Sequence, residues 1–190
     1  MNGMSQIAAQ VILESAREMF GTEPARIREV SGRPEIRSLE DVSSLLERLE
    51  DTYGPAGARG LTQRFGKAVF RAGLRQLGGQ AGFRSMDYRI LPSPRRVEVG
   101  LESLARMVSE TTRDTVTLSE DDAHWYWRVE RDQDGGGNLP AGLNCFATTG
   151  LIQEFAAWAS GGRFYRVMET ECRASGAAAC VFRIDKQPLE

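Results

Sequence analysis

The chain has 190 residues, 41% of them apolar and 26% charged, the size and balance of one globular domain, which excludes a fibrous or disordered protein. Its 24 basic and 26 acidic residues leave a net charge of −2, and every basic residue except Lys67 and Lys186 is an arginine; these are spread too evenly to track a phosphate backbone, so no direct nucleic-acid partner is expected. No stretch approaches the ~18 apolar residues of a membrane span, and residues 1–10 lack the basic start and apolar run of a secretory signal, so a soluble cytoplasmic protein is expected.

Residues 1–114 read as mainly helical. Ile7, Val11, Ala16 and Met19 form an apolar stripe that ends at Gly21. Ser38 precedes a second helix, with Asp41 in its first turn, where a carboxylate suits the helix dipole. Val42, Leu45, Leu46, Leu49 and Tyr53 carry its buried face, until Gly54-Pro55 breaks it and Pro55 opens the next helix. That third helix runs to about Gly78. It is apolar on two sides, with Leu61, Phe65 and Val69 on one and Phe70, Leu74 and Leu77 on the other, which predicts a central helix buried on both. Gly66 and Gly73 leave room on it for close approach by another backbone or a ligand. A fourth helix is expected over Glu98–Thr112, after a proline-marked turn at residues 91–94.

Residues 115–190 change in texture. Thr115–Leu118 and His124–Glu130 are β-prone, and Asp134–Asn138 is a glycine-rich turn. Leu143–Ser160 reads as a helix closed by Gly161-Gly162. Arg163–Glu169 and Cys180–Asp185 alternate like two strands of an antiparallel pair. The fold class is therefore α+β: one domain, 1–190, with N-terminal helices packed on a late antiparallel sheet.

Two sequence features invite a chemical reading. Gly60–Ala68 glances at a phosphate-binding loop, but five residues separate its glycines and Ala68 stands where a hydroxyl should reach magnesium. The three cysteines, Cys145, Cys172 and Cys180, carry more. An odd number argues against a disulfide framework and for free thiols or metal ligands. Cys145 lies near a helix start, where backbone N–H groups favour thiolate. Cys172 and Cys180 flank a small-residue loop that can bring both sulfurs to one end of a hairpin. Three thiolates and one carboxylate would close a tetrahedral zinc site, and soft sulfur favours zinc over calcium or magnesium. Glu169 and Glu171 both qualify as the carboxylate, since alternate residues of a strand share a face.

The segment Cys145-x4-Gly150-Leu151-x17-Glu169-x2-Cys172-x3-Gly176-x3-Cys180-x-Phe182 resembles the 4-vinyl reductase domain. That small-molecule-binding module is named after a bacteriochlorophyll-biosynthesis protein and also serves as the sensory domain of aromatic-responsive bacterial activators. The resemblance implies a fold shared with TRAPP vesicle-tethering subunits and related to nitric-oxide-sensing haem domains. It further implies a structural zinc on Cys145, Glu169, Cys172 and Cys180, choosing Glu169 over Glu171, within a zinc and ligand subdomain at residues 145–185.

In such a domain the ligand lies beside the zinc, between sheet and helices. The candidate walls are Trp125, Trp127, Phe146, Phe155, Trp158 and Tyr165, with Phe164 beside the last. His124, the single histidine, falls on the opposite strand face from Trp125 and Trp127. No nucleophile-elbow or dinucleotide fingerprint is present, so no catalytic residue is assigned. These observations together predict a zinc-stabilised module for a small hydrophobic or aromatic ligand, acting as a stand-alone sensor or carrier and as a homodimer. The alternatives are a tetrapyrrole-pathway protein assisting 4-vinyl reduction and a tethering or scaffold subunit.

Overall fold

The computed structural model describes residues 3–21, 36–112, 114–131 and 141–189. In chain order the elements are α1 (Gly3–Phe20), α2 (Leu39–Leu77), α3 (Met86–Arg89), α4 (Ser93–Thr111), β1 (Asp114–Glu120) and β2 (His124–Arg131), followed by α5 (Ala141–Ser160), β3 (Val167–Glu171), a 3-10 turn at Arg173–Ser175 and β4 (Cys180–Asp185). The strands form one sheet in the order β1-β2-β4-β3, every neighbouring pair antiparallel. The α+β class expected from the sequence is the one observed.

Local chemistry sets the helix ends. The Ser38 hydroxyl accepts the Asp41 N–H at 3.3 Å while the Asp41 carboxylate accepts the Ser38 N–H at 2.9 Å, a reciprocal cap on α2. Gly54, at φ 68° and ψ 172°, holds a conformation essentially reserved for glycine and divides α2 into two legs, with Pro55 restarting the helix. Gly161 and Gly162, at φ 79° and 101°, end α5.

The second leg of α2 is the central element, packed against α1 on one side and α5 on the other. Its approach to α5 is reciprocal. A Cβ at Gly66 would overlap the Ala147 carbonyl, and one at Gly150 would overlap the Gln63 carbonyl. Gly73 meets only Val11 Cγ1 at 3.9 Å, ordinary contact, so the close approach expected at both glycines of α2 is seen at Gly66 alone.

Two cores result. The first leg of α2 packs on α1 through Val42, Leu45, Leu46 and Leu49, joined by Phe20 and Phe65. A larger core lies between the inner sheet face and α4 and α5, built on Trp125, Trp127, Phe155, Phe182 and Leu101.

Some boundaries differ from the sequence reading. α4 begins at Ser93, not Glu98, because Pro94 fits the first helical turn, where its missing N–H costs nothing. β3 begins at Val167, not Arg163. Residues 163–166 follow no regular ladder, although the Phe164 carbonyl still accepts the Leu189 N–H at 2.7 Å. The short α3, capped by the Ser85 hydroxyl on the Tyr88 N–H, was not anticipated. The turn expected at Asp134–Asn138 lies outside the described residues.

Candidate metal and ligand sites

Four side chains from three elements converge where α5 meets the β3–β4 hairpin. Cys145 comes from the start of α5, Glu169 from β3, Cys172 from the exit of β3, and Cys180 opens β4. One ligand atom from each lies within 4.8 Å of all the others. Cys145 Sγ is 3.8 Å from Cys172 Sγ and 3.5 Å from Cys180 Sγ. Sulfurs sharing a tetrahedral ion at ~2.3 Å stand roughly 3.8 Å apart, so these two spacings are compatible with a shared metal ion.

The hairpin loop makes this convergence local. The Cys172 carbonyl accepts the N–H groups of Ser175 and Ala177, and Gly176, at φ 95°, closes the turn that brings the chain back to Cys180. A β-bulge separates the two glutamates. Glu169 pairs with Phe182 and Glu171 with Val181, so Thr170 is the extra residue, its hydroxyl donating to the Val181 carbonyl at 3.2 Å. The bulge breaks the alternation that would have put residues 169 and 171 on one face. Glu171 is exposed, and Glu169 faces the sulfurs.

Glu169 Oε1 is buried without a hydrogen bond of standard length among the described residues, and its carboxylate lies beside the Cys145 and Cys172 thiols. Burial pushes the Cys145 thiol far above its usual range, with the Glu169 carboxylate and Cys180 adding to the effect. Burial raises Cys172 as well. Without a bound cation, burial therefore works against the thiolate character expected of Cys145 from its place near the helix start. It stands a full turn inside α5, and loss of solvent outweighs the helix dipole. A dication reverses that balance by supplying the charge that the thiolates answer. With three sulfurs, one carboxylate and no position left open, the donor set fits a structural zinc.

The aromatic residues divide. Trp125 and Trp127 point inward from β2 and are fully buried, while His124, Tyr126 and Arg128 take the other face. Trp125 lies 6.4 Å from the Tyr165 ring, with the Lys186 ammonium 5.7 Å from its own ring centroid. Phe155 and Trp158 join Phe70, Phe83 and Tyr88 in one cluster. Phe155 meets Phe70 edge-on at 5.8 Å, and Trp158 stacks on Tyr88 at 6.0 Å. Gly100 makes room for it, since a Cβ there would overlap the Tyr88 hydroxyl and the Phe155 ring.

Phe146 stands apart from the others. It packs against the helical core, beneath the Arg59 guanidinium at 4.8 Å. Phe164 is 68% exposed and lines nothing. Five of the six expected walls, Trp125, Trp127, Phe155, Trp158 and Tyr165, therefore belong to the sheet-side core, with Trp158 at its surface. Sequence reasoning missed Phe83 and Tyr88, which follow a glycine-rich stretch without helical or strand periodicity. Phe70 was visible only as one more apolar residue of its helix.

His124 occupies the outer sheet face between two carboxylates, with Nδ1 3.2 Å from Asp121 and Nε2 3.7 Å from Asp185. The Tyr126 hydroxyl donates to Asp121 at 2.7 Å. That bond, with backbone N–H groups of Ala123 and His124, holds Asp121 well below the usual carboxylate range. The group clamps the β1–β2 turn and presents no nucleophile.

Helices covering one face of a four-stranded antiparallel sheet, with a thiol–carboxylate cluster at one end, define an α+β fold known from sensory domains. No family model and no curated protein matches the chain. Among solved structures, an H-NOX protein from S. oneidensis in its Fe(II)NO ligation state is 13% identical with a TM-score of 0.57, each chain covered at 100%. The phenol-responsive sensory domain of the transcription activator PoxR, solved with phenol, is 20% identical with a TM-score of 0.54 over 90% of this chain and 88% of its own. An unliganded Fe(II) H-NOX protein from K. algicida is 10% identical with a TM-score of 0.54, over 98% and 96%.

At these identities the likeness is one of fold. A haem held by an axial histidine does not fit this chain, because its one histidine, His124, is committed to the outer sheet face. Among the described residues no helix is long and apolar enough to cross a membrane.

Proposed function

We propose that this domain binds a small, largely apolar or aromatic molecule and acts as a sensor or carrier, with zinc on Cys145, Glu169, Cys172 and Cys180 as a structural clamp. One observation carries the reading: the thiol cluster is continuous with the aromatic core. Cys145 is part of that core, and Cys172 and Cys180 pack against it. Zinc would supply the charge that keeps the three thiolates and the carboxylate together. This chain's own residues do the rest. Cys172 and Cys180 fix the β3–β4 hairpin to α5 through Cys145, and so fix the positions of Phe155, Tyr165 and Phe182. The likeness to the phenol-responsive domain supports a ligand of this class.

Binding in such a core shifts the population of helix arrangements, the physical content of a sensor's response. A homodimer or a separate partner would carry the output. Small neutral aromatics should raise the melting temperature of the zinc-loaded protein progressively with concentration, by mass action. A broad panel that leaves the transition unmoved would count against ligand binding.

A further inference from the structure

The long helix α2 carries its charges in two separate blocks. Between Leu39 and Tyr53 its first leg has five acidic residues and one base, Arg48. Between Pro55 and Leu77 its second leg has five bases and no acid. The whole chain is nearly neutral, at −2, so the division belongs to this helix and not to the composition. It falls at Gly54, the residue whose positive φ separates the two legs.

Packing turns both blocks outward. The first leg commits Val42, Leu45, Leu46 and Leu49 to the core it shares with α1, which leaves Glu40, Glu47, Glu50 and Asp51 exposed. The second leg is enclosed by α1 and α5, and the narrow solvent strip left to it holds Arg64, Lys67, Arg71 and Arg75, spaced as one helical face. Arg71 is paired with Glu154 of α5 at 2.6 Å, and Arg75 stands near Glu14 of α1. Among the described residues Arg64 and Lys67 meet no carboxylate, and Glu47, Glu50 and Asp51 meet no base. Like charges gathered on one face repel within the chain and find their complement only on a surface of opposite sign.

That complement is present on the chain itself. We propose that α2 is the contact face of a two-fold homodimer, the acidic leg of one copy lying antiparallel along the basic leg of the other. A second copy answers both legs at once, whereas an unrelated acidic partner would leave the acidic leg unmatched. A two-fold axis near Gly54 makes every contact twice. At a rise of 1.5 Å per residue, Glu47 and Glu40 stand about 10 and 21 Å before Gly54, and Arg59, Arg64 and Lys67 about 8, 15 and 20 Å after it, so acid faces base along the pairing. The centre presents exposed Tyr53, Pro55, Ala56 and Gly60, mostly small residues that let two helices approach. Exposed ion pairs are individually weak, so the dimer is reversible and sensitive to salt. This inference stands apart from the ligand and the zinc.

The test follows the full-length, zinc-loaded chain by sedimentation velocity across a concentration series. The parent should dimerise, and raising salt from about 0.1 M to 1 M, which shortens the screening length from ~10 to ~3 Å, should weaken the dimer about tenfold or more. Two variants reverse the unanswered charges: Glu47→Lys with Glu50→Lys and Asp51→Lys on the first leg, and Arg64→Glu with Lys67→Glu on the second. Each alone should stay monomeric, because like now faces like, and an equimolar mixture should form the heterodimer, read by native mass. That rescue also shows that both variants are folded. A parent that stays monomeric at low salt overturns the proposal, and if it then binds polyglutamate through Arg64 and Lys67, the basic leg serves an acidic partner instead. Variants that still dimerise alone place the contact on another surface and overturn it too. Monomeric variants that fail to pair when mixed overturn the leg-on-leg arrangement.

Discussion

The helical end and the sheet end of this molecule treat polar groups in opposite ways. Around α1 and the first leg of α2 the core is mainly aliphatic, with Phe20 and Phe65 as its aromatic pair, and the polar groups at its rim are answered nearby. Ser38 and Asp41 cap each other, and the Arg17 guanidinium donates to the Ile36 carbonyl at 2.8 Å. Around β2, β3 and β4 the interior holds Glu169 Oε1 and two indole N–H groups without partners. Apart from Thr62 Oγ1 on α2, every such orphan among the described residues belongs to those three strands. Unanswered polar atoms are costly. Their concentration at one end is a difference in how the two ends are built, although two of them, Arg183 Nε and Asp185 Oδ1, lie 3.8 Å apart as an ion pair on the outer sheet face.

Metal removal should break this contrast hardest. Stripping the cation with a strong chelator, or replacing Cys172 with serine, leaves buried donors unanswered, and loss of such a site costs about 4 kcal/mol or more. Calorimetry should show a markedly lower transition temperature. A metal-free protein of unchanged stability would mean that the cluster is merely packed.

Gly66→Ala tests the seam between the two ends. The added methyl overlaps the Ala147 carbonyl on α5, and forced repacking of that kind costs about 1–3 kcal/mol in urea unfolding. A neutral result would show that α2 and α5 are free to separate.

The smallest effect concerns alkali. Burial raises Tyr88 above the usual range and raises Tyr165 too, so the folded chain keeps protons that the unfolded chain releases. Stability is therefore full below about pH 10 and declines as pH rises beyond it. Tyr88→Phe should flatten the decline between pH 10 and 11.5 without abolishing it. An unchanged slope would remove Tyr88 from the account.

Much of this was legible in the sequence, for physical reasons that differ from residue to residue. Gly54-Pro55, Ser38 with Asp41, and Gly161-Gly162 act through local backbone chemistry, and each does what its residue type dictates. The cysteine spacing was legible because a short hairpin leaves few places for its ends to go. The choice of Glu169 over Glu171 was not legible from strand alternation, since the bulge at Thr170 arises from pairing with β4. The burial of Cys145 was not legible, because a helix-end argument is local whereas burial is tertiary. Phe146 looked like its neighbours on α5, and only the packing shows that it faces the other core. Gly150 carried its message in a contact with another helix, which no single segment reveals.

The most direct test of the central claim is the native mass of the protein purified without chelator. One zinc per chain, lost when Glu169 or any of the three cysteines is replaced but retained in Glu171→Gln, is the result expected. A mass equal to the bare polypeptide, or a zinc indifferent to those four side chains, would contradict it.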